Sequence, residues 1–316
     1  MIWKVFVDGA AGTTGLEIRE RLAGRADLAV VRLGEAERKD PRARRAALND
    51  ADLVILCLPD DAAREAVGLI DNPKVRVIDA STAHRTAPGW VFGFPEFEPG
   101  NDAAIAAAKR VTNPGCWSTG FLALVRPLVR AGLLPADAAL TAHGISGYSG
   151  GGKSMIAEFE KTDSPGYVET VARAYALQLA HKHIPEMTER AGLAHPPVFS
   201  PYVGRYYRGM IVEVPLALWA LPGSPKAADL QAVLADTYAG RRFVDVAGPA
   251  EAAAAKSLDA EMLRGTNRLK LYVFANESTG QARLAAVLDN LGKGASGAAV
   301  QNLNLMLGLA ETTGLA

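Results

Sequence analysis

Hydrophobic residues in the first part of the chain form short runs that are separated by polar and glycine-rich segments. Runs rich in Val, Ile and Leu predict buried strands over residues 2–7, 28–33, 51–59 and 75–81, because the strands of a parallel sheet are covered on both faces. A segment with helical spacing, LEIRERLAGR, follows the first run. This alternation of strands and helices predicts an α/β fold built on a Rossmann-type, doubly wound parallel sheet.

The hydrophobic pattern changes near residue 117. The segment STGFLALVRPLVRAGLL predicts a helix, which Pro127 is expected to kink or break because proline lacks the N–H that a helix needs. Farther along, AALTAHGIS, EVPLAL and RLKLYVFA predict strands of the kind found in a mixed or antiparallel sheet. We therefore expect a second, α+β domain with a mixed sheet.

Helical spacing returns near the C-terminus. Residues 248–256, GPAEAAAAK, predict a short exposed helix or a loop, whereas SGAAVQNLNLM has the apolar spacing of a longer helix. Ser296 stands where an N-cap is expected, because a serine side chain can accept from the free N–H groups of a first helical turn.

Composition narrows the class of protein. Of 316 residues, 49% are hydrophobic and 22% are charged, which is enough for a sizeable core. Lys+Arg and Asp+Glu both count 34, so the net charge of +0 gives no support to binding of nucleic acid or an anionic membrane. No apolar stretch of about 18 residues predicts a membrane span. The two cysteines exclude a disulfide framework, no motif indicates a metal site, and a reducing cytoplasm is the expected location.

The first glycine-rich segment, GAAGTTG, lies between a predicted strand and a predicted helix. Glycines at this position permit a tight turn and a close approach of a pyrophosphate to the N–H groups of the helix. The spacing is GxxGxxG rather than GxGxxG, so its context at the first strand–helix turn carries the prediction. The candidate dinucleotide-binding residues are Gly9, Gly12, Thr13, Thr14 and Gly15.

The choice between NAD and NADP depends on the end of the second strand, where an NAD site is expected to carry a carboxylate. The segment there is basic, with Arg38 and Lys39 followed by three arginines, although two glutamates are interspersed. Arginine can pair with the 2′-phosphate of NADP. We therefore favour NADP, with Arg38 as its candidate contact; the alternative is a solvated charged helix face.

Cys116 follows Asn-Pro-Gly and precedes a predicted helix. Pro114 favours an extended residue before it, Gly115 permits a sharp turn, and Cys116 is then expected at the first helical turn. That position stabilises a thiolate, and its backbone N–H groups can stabilise an oxyanion. An isolated cysteine is otherwise a core residue, which is the interpretation given to Cys57 inside LVILCLP.

A cysteine nucleophile needs a base, and the segment HKHIPE supplies candidates. His181 and His183 would point to opposite faces of an extended chain, so one of them is expected near the thiol. Glu186 could orient that imidazole as the third member of a triad. The alternative is a pair of surface histidines at a helix end. His84, His143 and His195 are interpreted as structural.

A second glycine-rich loop runs through ISGYSGGGKS. Gly147 to Ser154 matches the nucleotide-binding pattern GxxxxGK[ST]. A nucleotide-dependent protein is therefore an alternative, although FVDV near Asp245 is too short to provide the usual magnesium-binding strand. We favour a site for a phosphorylated substrate formed by Ser146, Ser149 and Lys153.

In their order and spacing these motifs resemble the N-acetyl-γ-glutamyl-phosphate reductases, and in particular the shorter form of that family. The resemblance spans nearly the whole chain and includes the segments GAAGTTG, DASTAHR, FGFPEF, NPGCWSTG, SGYSGGGKS, HKHIPEM and DNLGKGASGAAVQNLNLM. The longer form carries Cys-Tyr-Pro-Thr where this chain has Cys116-Trp-Ser-Thr, which assigns the chain to the short form.

The resemblance implies residue roles. Cys116 would be the nucleophile, His183 the acid/base and Glu186 its support, while Ser81 and Asn302 would lie near NADP(H). Residues 1–116 and 290–316 would form the cofactor domain, and residues 117–289 the substrate and dimerisation domain. A substrate carboxylate could be held by Arg205 or Arg208, and on chemical grounds we favour Arg208.

The activity implied is NADPH-dependent reduction of an acyl phosphate, N-acetylglutamyl 5-phosphate, to its semialdehyde through a cysteine thioester, in arginine biosynthesis. A homo-oligomer, either dimer or tetramer, is expected. Aspartate-semialdehyde dehydrogenase shares the implied fold and mechanism and is the nearest alternative, together with an aminoadipate homologue. A non-catalytic NADP-binding sensor is a further alternative, which the presence of both HKHIPE and NPGC disfavours.

Overall fold

The computed structural model describes residues 2–10, 12–34, 36–37 and 40–316. Arg38, the predicted NADP contact, lies outside the described residues. The chain divides into two compact units, one formed by residues 1–115 with 295–316 and the other by residues 116–294. Among the described residues, no helix has both the length and the apolar character needed to cross a bilayer.

The first unit is a six-stranded, fully parallel sheet with the order β2-β1-β3-β4-β6-β5. Its strands are β1 Trp3–Asp8, β2 Leu28–Val31, β3 Leu53–Leu56, β4 Arg76–Asp79, β5 Val91–Phe92 and β6 Arg110–Thr112. Its helices are α1 Thr13–Leu22, α2 Pro41–Asp50, α3 Asp60–Gly68, α4 Asn101–Ala107 and α10 Gly297–Met306. The order reverses between β1 and β3, which makes the carboxyl ends of these strands the expected ligand edge.

Alternate residues of β1 point to opposite faces of the sheet and pack into two separate hydrophobic cores. Val5 and Val7 pack with Ile18 of α1 and Leu303 of α10. Phe6, between them, packs with Leu48 and other residues of α2 and α3 on the opposite face. Because both faces of the sheet are covered by helices, consecutive residues of its central strands are apolar, as in Val5–Val7 and Leu53–Leu56. The predicted doubly wound fold is confirmed, although the strands predicted over residues 28–33, 51–59 and 75–81 are one to three residues too long at one or both ends.

The second unit is a seven-stranded mixed sheet with the order β11-β12-β13-β10-β7-β9-β8. Its strands are β7 Thr141–Gly147, β8 Ala172–Ala174, β9 Val198–Gly204, β10 Met210–Ala217, β11 Val244–Val246, β12 Leu269–Asn276 and β13 Gln281–Leu288. Its helices are α5 Cys116–Arg130, α6 Gly152–Glu160, α7 Ile184–Ala191, α8 Ala227–Tyr238 and α9 Pro249–Ala254. The predicted mixed sheet is confirmed, and residues 249–254 form the short helix expected there.

Helix α5 packs on this sheet through a close contact at Gly120. A Cβ at Gly120 would lie 2.6 Å from Cγ2 of Val212 on β10, so only glycine allows the helix to approach the strand this closely. Nearly every residue of the first three turns of α5 is buried. The sheet thereby fixes the position of the helix N-terminus, where Cys116 is the first residue.

The prediction that Pro127 breaks this helix is wrong, because α5 continues through it to Arg130. Proline at this position leaves the carbonyl of Ala123 without its usual i+4 donor. The hydroxyl of Tyr238, on α8, donates to that carbonyl at 2.9 Å. A tertiary hydrogen bond therefore replaces the missing helical one.

Ser296 occupies the N-cap position of α10, but its side chain makes no capping hydrogen bond. Its Oγ accepts instead from Nε of Arg21 on α1, at 3.0 Å. A π-helical segment, Gly292–Ser296, precedes α10 and gives Ser296 helical dihedral angles. The predicted cap is therefore wrong, because a serine in this conformation already continues a helix.

Candidate active site

Cys116 is the first residue of α5, where the N–H groups of a helix are free to stabilise negative charge. Gly294 lies directly against it: a Cβ at Gly294 would be 2.7 Å from Cβ of Cys116 and 3.3 Å from its Cα. The N–H of Gly294 donates to the carbonyl of Asp289 at 3.0 Å, which holds this glycine in position. Cys116 is a partly buried thiol outside any disulfide, and Gly294 packs directly against its backbone.

His181 and His183 lie in a turn immediately before α7, not in an extended segment. Their rings meet edge to face, with centroids 4.7 Å apart, so the expectation that they point to opposite faces is wrong. The N–H of His183 donates to Nδ1 of His181 at 3.1 Å. His183 is buried and occupies the N-cap position of α7. The turn therefore fixes two imidazoles close together.

Glu186 lies in the first turn of α7, three residues after His183. Its side chain is buried, and its Oε2 accepts from the hydroxyl of Ser118 at 2.7 Å. Ser118 lies in the first turn of α5, two residues after Cys116. This hydrogen bond joins the beginnings of the two helices that carry the predicted nucleophile and the predicted acid/base unit.

Tyr175 is a further residue of this site, which the sequence analysis did not identify. The indole Nε1 of Trp117 donates to its hydroxyl oxygen at 2.8 Å, and its ring lies 5.7 Å from that of His181, centroid to centroid. Burial, assisted by the nearby Cys116, raises the pKa of Tyr175 far above its ordinary value. The phenol therefore stays protonated at physiological pH and retains a proton to donate.

Two of the predicted phosphate contacts are buried at the end of β7: Ser146 lies in the strand, and Ser149 lies in the turn that follows it. Oγ of Ser149 accepts from Nδ2 of Asn290 at 2.9 Å, and Oδ1 of Asn290 accepts from the N–H of Gly209 at 2.8 Å. Lys153, the third predicted contact, is exposed at the N-terminus of α6. Asn290, which the sequence analysis missed, links the serine loop to the segment that supports Cys116.

The nucleotide-binding interpretation of Gly147 to Ser154 is not supported by the backbone. The N–H groups of residues 147, 148 and 149 donate to the carbonyls of residues 209, 206 and 207, and that of residue 152 donates to Ser149. A nucleotide-binding loop needs such N–H groups for its phosphates. Here the protein itself uses them.

The two candidate arginines have different environments. Arg205 donates to the backbone carbonyls of residues 159, 168 and 170, and it therefore organises a loop. Nε of Arg208 lies 3.5 Å from Oδ2 of Asp289. Asp289 is fully buried and also accepts from the N–H groups of residues 265, 291 and 292. Of the two, Arg208 is the one that contacts the segment behind Cys116, because the carbonyl of Asp289 also accepts from the N–H of Gly294.

The carboxyl ends of β1 and β3 in the first unit form the edge where a dinucleotide is expected. Gly9 has φ +84°, and a Cβ there would lie 2.2 Å from the carbonyl oxygen of Cys57. A Cβ at Gly15 would lie 2.7 Å from the carbonyl oxygen of Gly9. Both positions therefore require glycine. Gly12 is the N-cap of α1 and contributes no side chain.

Two buried polar atoms along this unit are suited to a polar ligand. The hydroxyl of Thr13, in the first turn of α1, is buried without a hydrogen-bond partner, and so is Oδ1 of Asn302 on α10. Nδ2 of Asn302 donates to the carbonyl of Gly93 and to Oδ1 of Asn113. Thr14 is partly buried beside Thr13. A buried polar atom without a partner is costly unless a ligand satisfies it, so these residues fit a bound dinucleotide.

Ser81 lies just beyond the carboxyl end of β4, within a compact polar cluster. Its hydroxyl donates to Oδ2 of Asp79 at 2.7 Å, and Nδ1 of His84 lies 2.6 Å from the same oxygen. The His84 ring stacks on Trp90 with centroids 4.2 Å apart. His84 is therefore held by a buried carboxylate at the ligand edge, a placement that its isolated position in the sequence did not indicate.

The basic residues that favoured NADP are partly paired. Nε of Arg44 lies 2.7 Å from Oδ2 of Asp8, and Nη2 of Arg45 lies 2.5 Å from Oδ2 of Asp71.

Burial, together with the charges of Asp79 and Asp8, raises the pKa of the Cys57 thiol to about 12. Cys57 is therefore an unreactive thiol at neutral pH.

The two units match two known domains in sequence. Residues 4–106 match the NAD binding domain of semialdehyde dehydrogenases, and residues 116–290 match the semialdehyde dehydrogenase dimerisation domain. The first match confirms that the chain has an NAD(P)-binding domain, and the second indicates a homo-oligomer.

Curated relatives are similar over nearly their whole length. N-acetyl-γ-glutamyl-phosphate reductase 2 of Pseudomonas putida is 54% identical over 311 residues, which cover 98% of each chain. The reductase of Burkholderia cenocepacia is 55% identical over 304 residues, covering 96% of this chain and 97% of the relative. That of Trichormus variabilis is 50% identical over 318 residues, covering 99% of each.

Solved structures of similar fold are more distant in sequence. Aspartate semialdehyde dehydrogenase II of Vibrio cholerae gives a TM-score of 0.71 at 16% identity, covering 97% of this chain and 98% of the other. A probable aspartate-semialdehyde dehydrogenase from Pseudomonas aeruginosa gives 0.72 at 15% identity, covering 97% and 99%. These likenesses concern the fold alone. The family resemblance inferred from the sequence is confirmed: the chain belongs to the N-acetyl-γ-glutamyl-phosphate reductases, within the semialdehyde dehydrogenase family.

Proposed function

We propose that this enzyme reduces N-acetylglutamyl 5-phosphate to N-acetylglutamate 5-semialdehyde with release of phosphate, as a step of arginine biosynthesis in the cytoplasm. The observation that carries the proposal is the arrangement of Cys116 at a helix N-terminus, joined through Ser118 to the helix that carries His183 and Glu186. Identities of 50–55% to reductases with this name support the substrate class.

The cofactor is NADP(H), bound by residues 1–116 and 290–316, while residues 117–289 bind the substrate. Gly9, Gly12 and Gly15 allow the pyrophosphate to approach the backbone, the buried hydroxyl of Thr13 is available to it, and Thr14 is the neighbouring candidate contact. Ser81 and Asn302 complete the group of predicted contacts, and Arg38 would contact the 2′-phosphate. When bound, NADPH supplies the hydride that reduces the thioester.

The chemistry of the protein side chains begins at Cys116. Its thiolate attacks the acyl carbon, the acyl–oxygen bond breaks, and inorganic phosphate leaves, so that a thioester joins the substrate to Sγ. A thioester is easier to reduce than a carboxylate because thiolate is a good leaving group. Reduction leaves an oxyanion on this carbon, which takes a proton from the His183 imidazolium to form the thiohemiacetal. That proton returns to His183 as the carbon–sulfur bond breaks, which releases the semialdehyde and restores the Cys116 thiolate with no net change in protons.

The remaining predicted residues bind and orient the substrate. Ser146, Ser149 and Lys153 hold the leaving phosphate, and Arg208 holds the α-carboxylate. Glu186 keeps the His183 imidazole oriented and stabilises its cationic form. The N–H groups at the start of α5 stabilise the oxyanion that forms on the acyl carbon.

The substrate assignment is tested with the wild-type enzyme in the reverse direction. NADP reduction is followed at 340 nm with N-acetylglutamate semialdehyde and phosphate, beside aspartate semialdehyde and the aminoadipate homologue. We expect phosphate-dependent activity, with kcat/KM at least about 10²-fold higher for N-acetylglutamate semialdehyde, because specific polar contacts discriminate substrates by this order. A higher kcat/KM for aspartate semialdehyde would overturn the assignment but keep the thioester mechanism.

Tyr175 is expected to donate a hydrogen bond to the reacting sulfur or oxygen. Replacing it with Phe removes the donor but keeps the ring, and we expect kcat to fall about 10- to 100-fold. Because burial and Cys116 raise the pKa of Tyr175, the phenol stays protonated as pH rises to 9, and the alkaline side of the kcat profile should not move in Tyr175→Phe. Tyr238→Phe is the control, since Tyr238 is also buried and hydrogen-bonded.

We propose that the open face of the seven-stranded sheet is the contact between copies of this chain in a dimer or tetramer. On β9, Val198 and Tyr202 point outward and are 51% and 44% exposed, whereas Phe199 and Val203 point into the core. A cavity of about 560 Å³ on this face is lined in part by Tyr202, by apolar residues and by the charged side chains of Glu213 and Arg283. An apolar face of this kind in a domain that matches a dimerisation domain favours a second copy as its partner.

The double variant Val198→Asp/Tyr202→Asp is expected to reduce the mass measured by light scattering to that of a smaller species, because unpaired charge would be buried at the contact. Ile2→Asp, which alters an apolar residue of the first unit that is 66% exposed, is expected to keep the wild-type mass. An unchanged mass in the double variant would exclude this face.

A further inference from the structure

The hydroxyl of Ser118 donates to Oε2 of Glu186 at 2.7 Å. Ser118 is 0% exposed and Glu186 is 1% exposed. A hydrogen bond to a carboxylate is strong when water is excluded, and its loss leaves a charged oxygen without that donor. We propose that Ser118 is a positioning residue for the reaction: it fixes the Glu186 carboxylate and, through it, the imidazole of His183.

Ser118 can affect the reaction without touching the reacting atoms, because it links the first turns of α5 and α7. Ser118 is in the same helical turn as Cys116 and therefore cannot move independently of it. Glu186 and His183 share the first turn of α7, where His183 is the N-cap. The hydrogen bond thus fixes the first turn of α5 relative to the first turn of α7. A shift of about 1 Å between reacting groups is enough to cost about 10²-fold in rate.

The charges around Glu186 explain why a neutral donor is useful here. The N-terminus of α7 favours a negative side chain in its first turn. Arg190, one turn along α7, interacts electrostatically with Glu186, and its pKa is lowered mainly by burial. His181 and His183 lie on the N-terminal side. Among these groups, the Ser118 hydroxyl contributes a directed bond that fixes the orientation of the carboxylate without adding charge.

Because the inference rests on the proposed function, its test combines turnover with a measurement that needs neither substrate nor cofactor. Ser118→Ala is expected to lower kcat about 10- to 50-fold with KM changed less than about twofold, since the loss concerns acid/base geometry rather than binding. Ser118→Thr keeps the hydroxyl and should recover kcat to within about threefold of wild type. Tyr238→Phe, which removes a different buried hydroxyl in contact with α5, should leave kcat within about twofold.

The second measurement is the alkylation rate of Cys116 by iodoacetamide at pH 7, read on its peptide by mass spectrometry. Cys57 does not interfere, because its thiol pKa is raised to about 12. Ser118→Ala should slow alkylation about 3- to 10-fold if the histidine unit that supports the thiolate is displaced. If the wild type does not turn over N-acetylglutamate semialdehyde, slower alkylation of Cys116 in Ser118→Ala than in the wild type would still support the positioning role and overturn only the proposed substrate.

A double-mutant cycle tests the path through Glu186. If Ser118 acts through that carboxylate, adding Ser118→Ala to Glu186→Ala should lower kcat by less than about twofold more. Equal and independent losses from the two substitutions would overturn the inference. So would a folded Ser118→Ala enzyme with wild-type kcat and wild-type alkylation rate.

Discussion

Cys116→Ala is expected to abolish phosphate-dependent NADP reduction, with a loss of at least about 10⁴-fold in kcat, because no other group forms the thioester. The protein should remain folded and should bind NADP with wild-type affinity, since Cys116 is not among the glycines and hydroxyls proposed to hold the cofactor. Binding is measured by titration of the cofactor, and folding by the thermal midpoint.

The matched control is Cys57→Ala, which removes the other thiol of the chain. Burial and two neighbouring carboxylates raise the pKa of Cys57 to about 12, so at pH 7–8 it is a neutral thiol and a poor nucleophile. We expect Cys57→Ala to keep the acylation step. With semialdehyde and NADP but no phosphate, the acyl group should be found by mass spectrometry on Cys116 in this variant and in wild type. An acyl group on any other residue would contradict the assignment of the nucleophile.

The first unit could be predicted well because its signals are local. An apolar run such as LVILCLP marks a strand that is covered on both faces. In the glycine-rich turn after β1, Gly15 is required by its contact with Gly9, within the same strand–turn–helix segment. The predicted strand ends were too long because apolar sequence continues beyond the last ladder hydrogen bond: β3 ends at Leu56, although the apolar run continues past Cys57. The two residues of β5 are too few to give any pattern.

The second unit was less predictable because its decisive contacts are distant in sequence. Nothing near Pro127 indicates that Tyr238 will donate to the carbonyl that proline leaves free. Ser118 and Tyr175 become part of the site only through partners about 60 residues away, namely Glu186 and Trp117. A local signal did exist for Ser118, since a polar residue in the same turn as a nucleophile, on a largely apolar helix, needs a buried partner.

The candidate catalytic and binding residues differ in the same way: some are marked by local sequence, and others only by contacts that are distant in sequence. Cys116 could be singled out because Asn-Pro-Gly before a helical pattern specifies its backbone conformation. Arg205 and Arg208 could not be separated, because the three carbonyls that bind Arg205 and the carboxylate near Arg208 belong to other parts of the chain. The turn that holds His181 and His183 was missed because these residues were interpreted as extended. Pro185 lies in the first turn of α7, and it indicates that the residues before it form a turn only once that helix is known.

Gly294→Ala is expected to lower kcat about 10²-fold, although it adds a single methyl group that bears no chemistry. The new Cβ would lie 2.7 Å from Cβ of Cys116 and 3.3 Å from its Cα, well inside contact distance, so either the nucleophile or the Gly292–Ser296 segment must move. Gly294 is held by its N–H bond to Asp289, and Cys116 is held by the packing of α5 on the sheet. A displacement of about 1 Å in the nucleophile accounts for a loss of this size.

The thermal midpoint separates this effect from general destabilisation. Overpacking of this kind costs about 1–3 kcal/mol, which leaves most molecules folded at 25 °C if the domain has ordinary stability. The control is Gly68→Ala, at the end of α3, where an added Cβ meets no atom within 4 Å; it should keep both kcat and the thermal midpoint or raise the latter slightly. If Gly294→Ala stays folded with kcat reduced and iodoacetamide alkylation of Cys116 altered in parallel, the loss originates at the nucleophile. A folded variant with wild-type kcat would mean that the thiol position tolerates this displacement, and that the close fit behind Cys116 has no catalytic role.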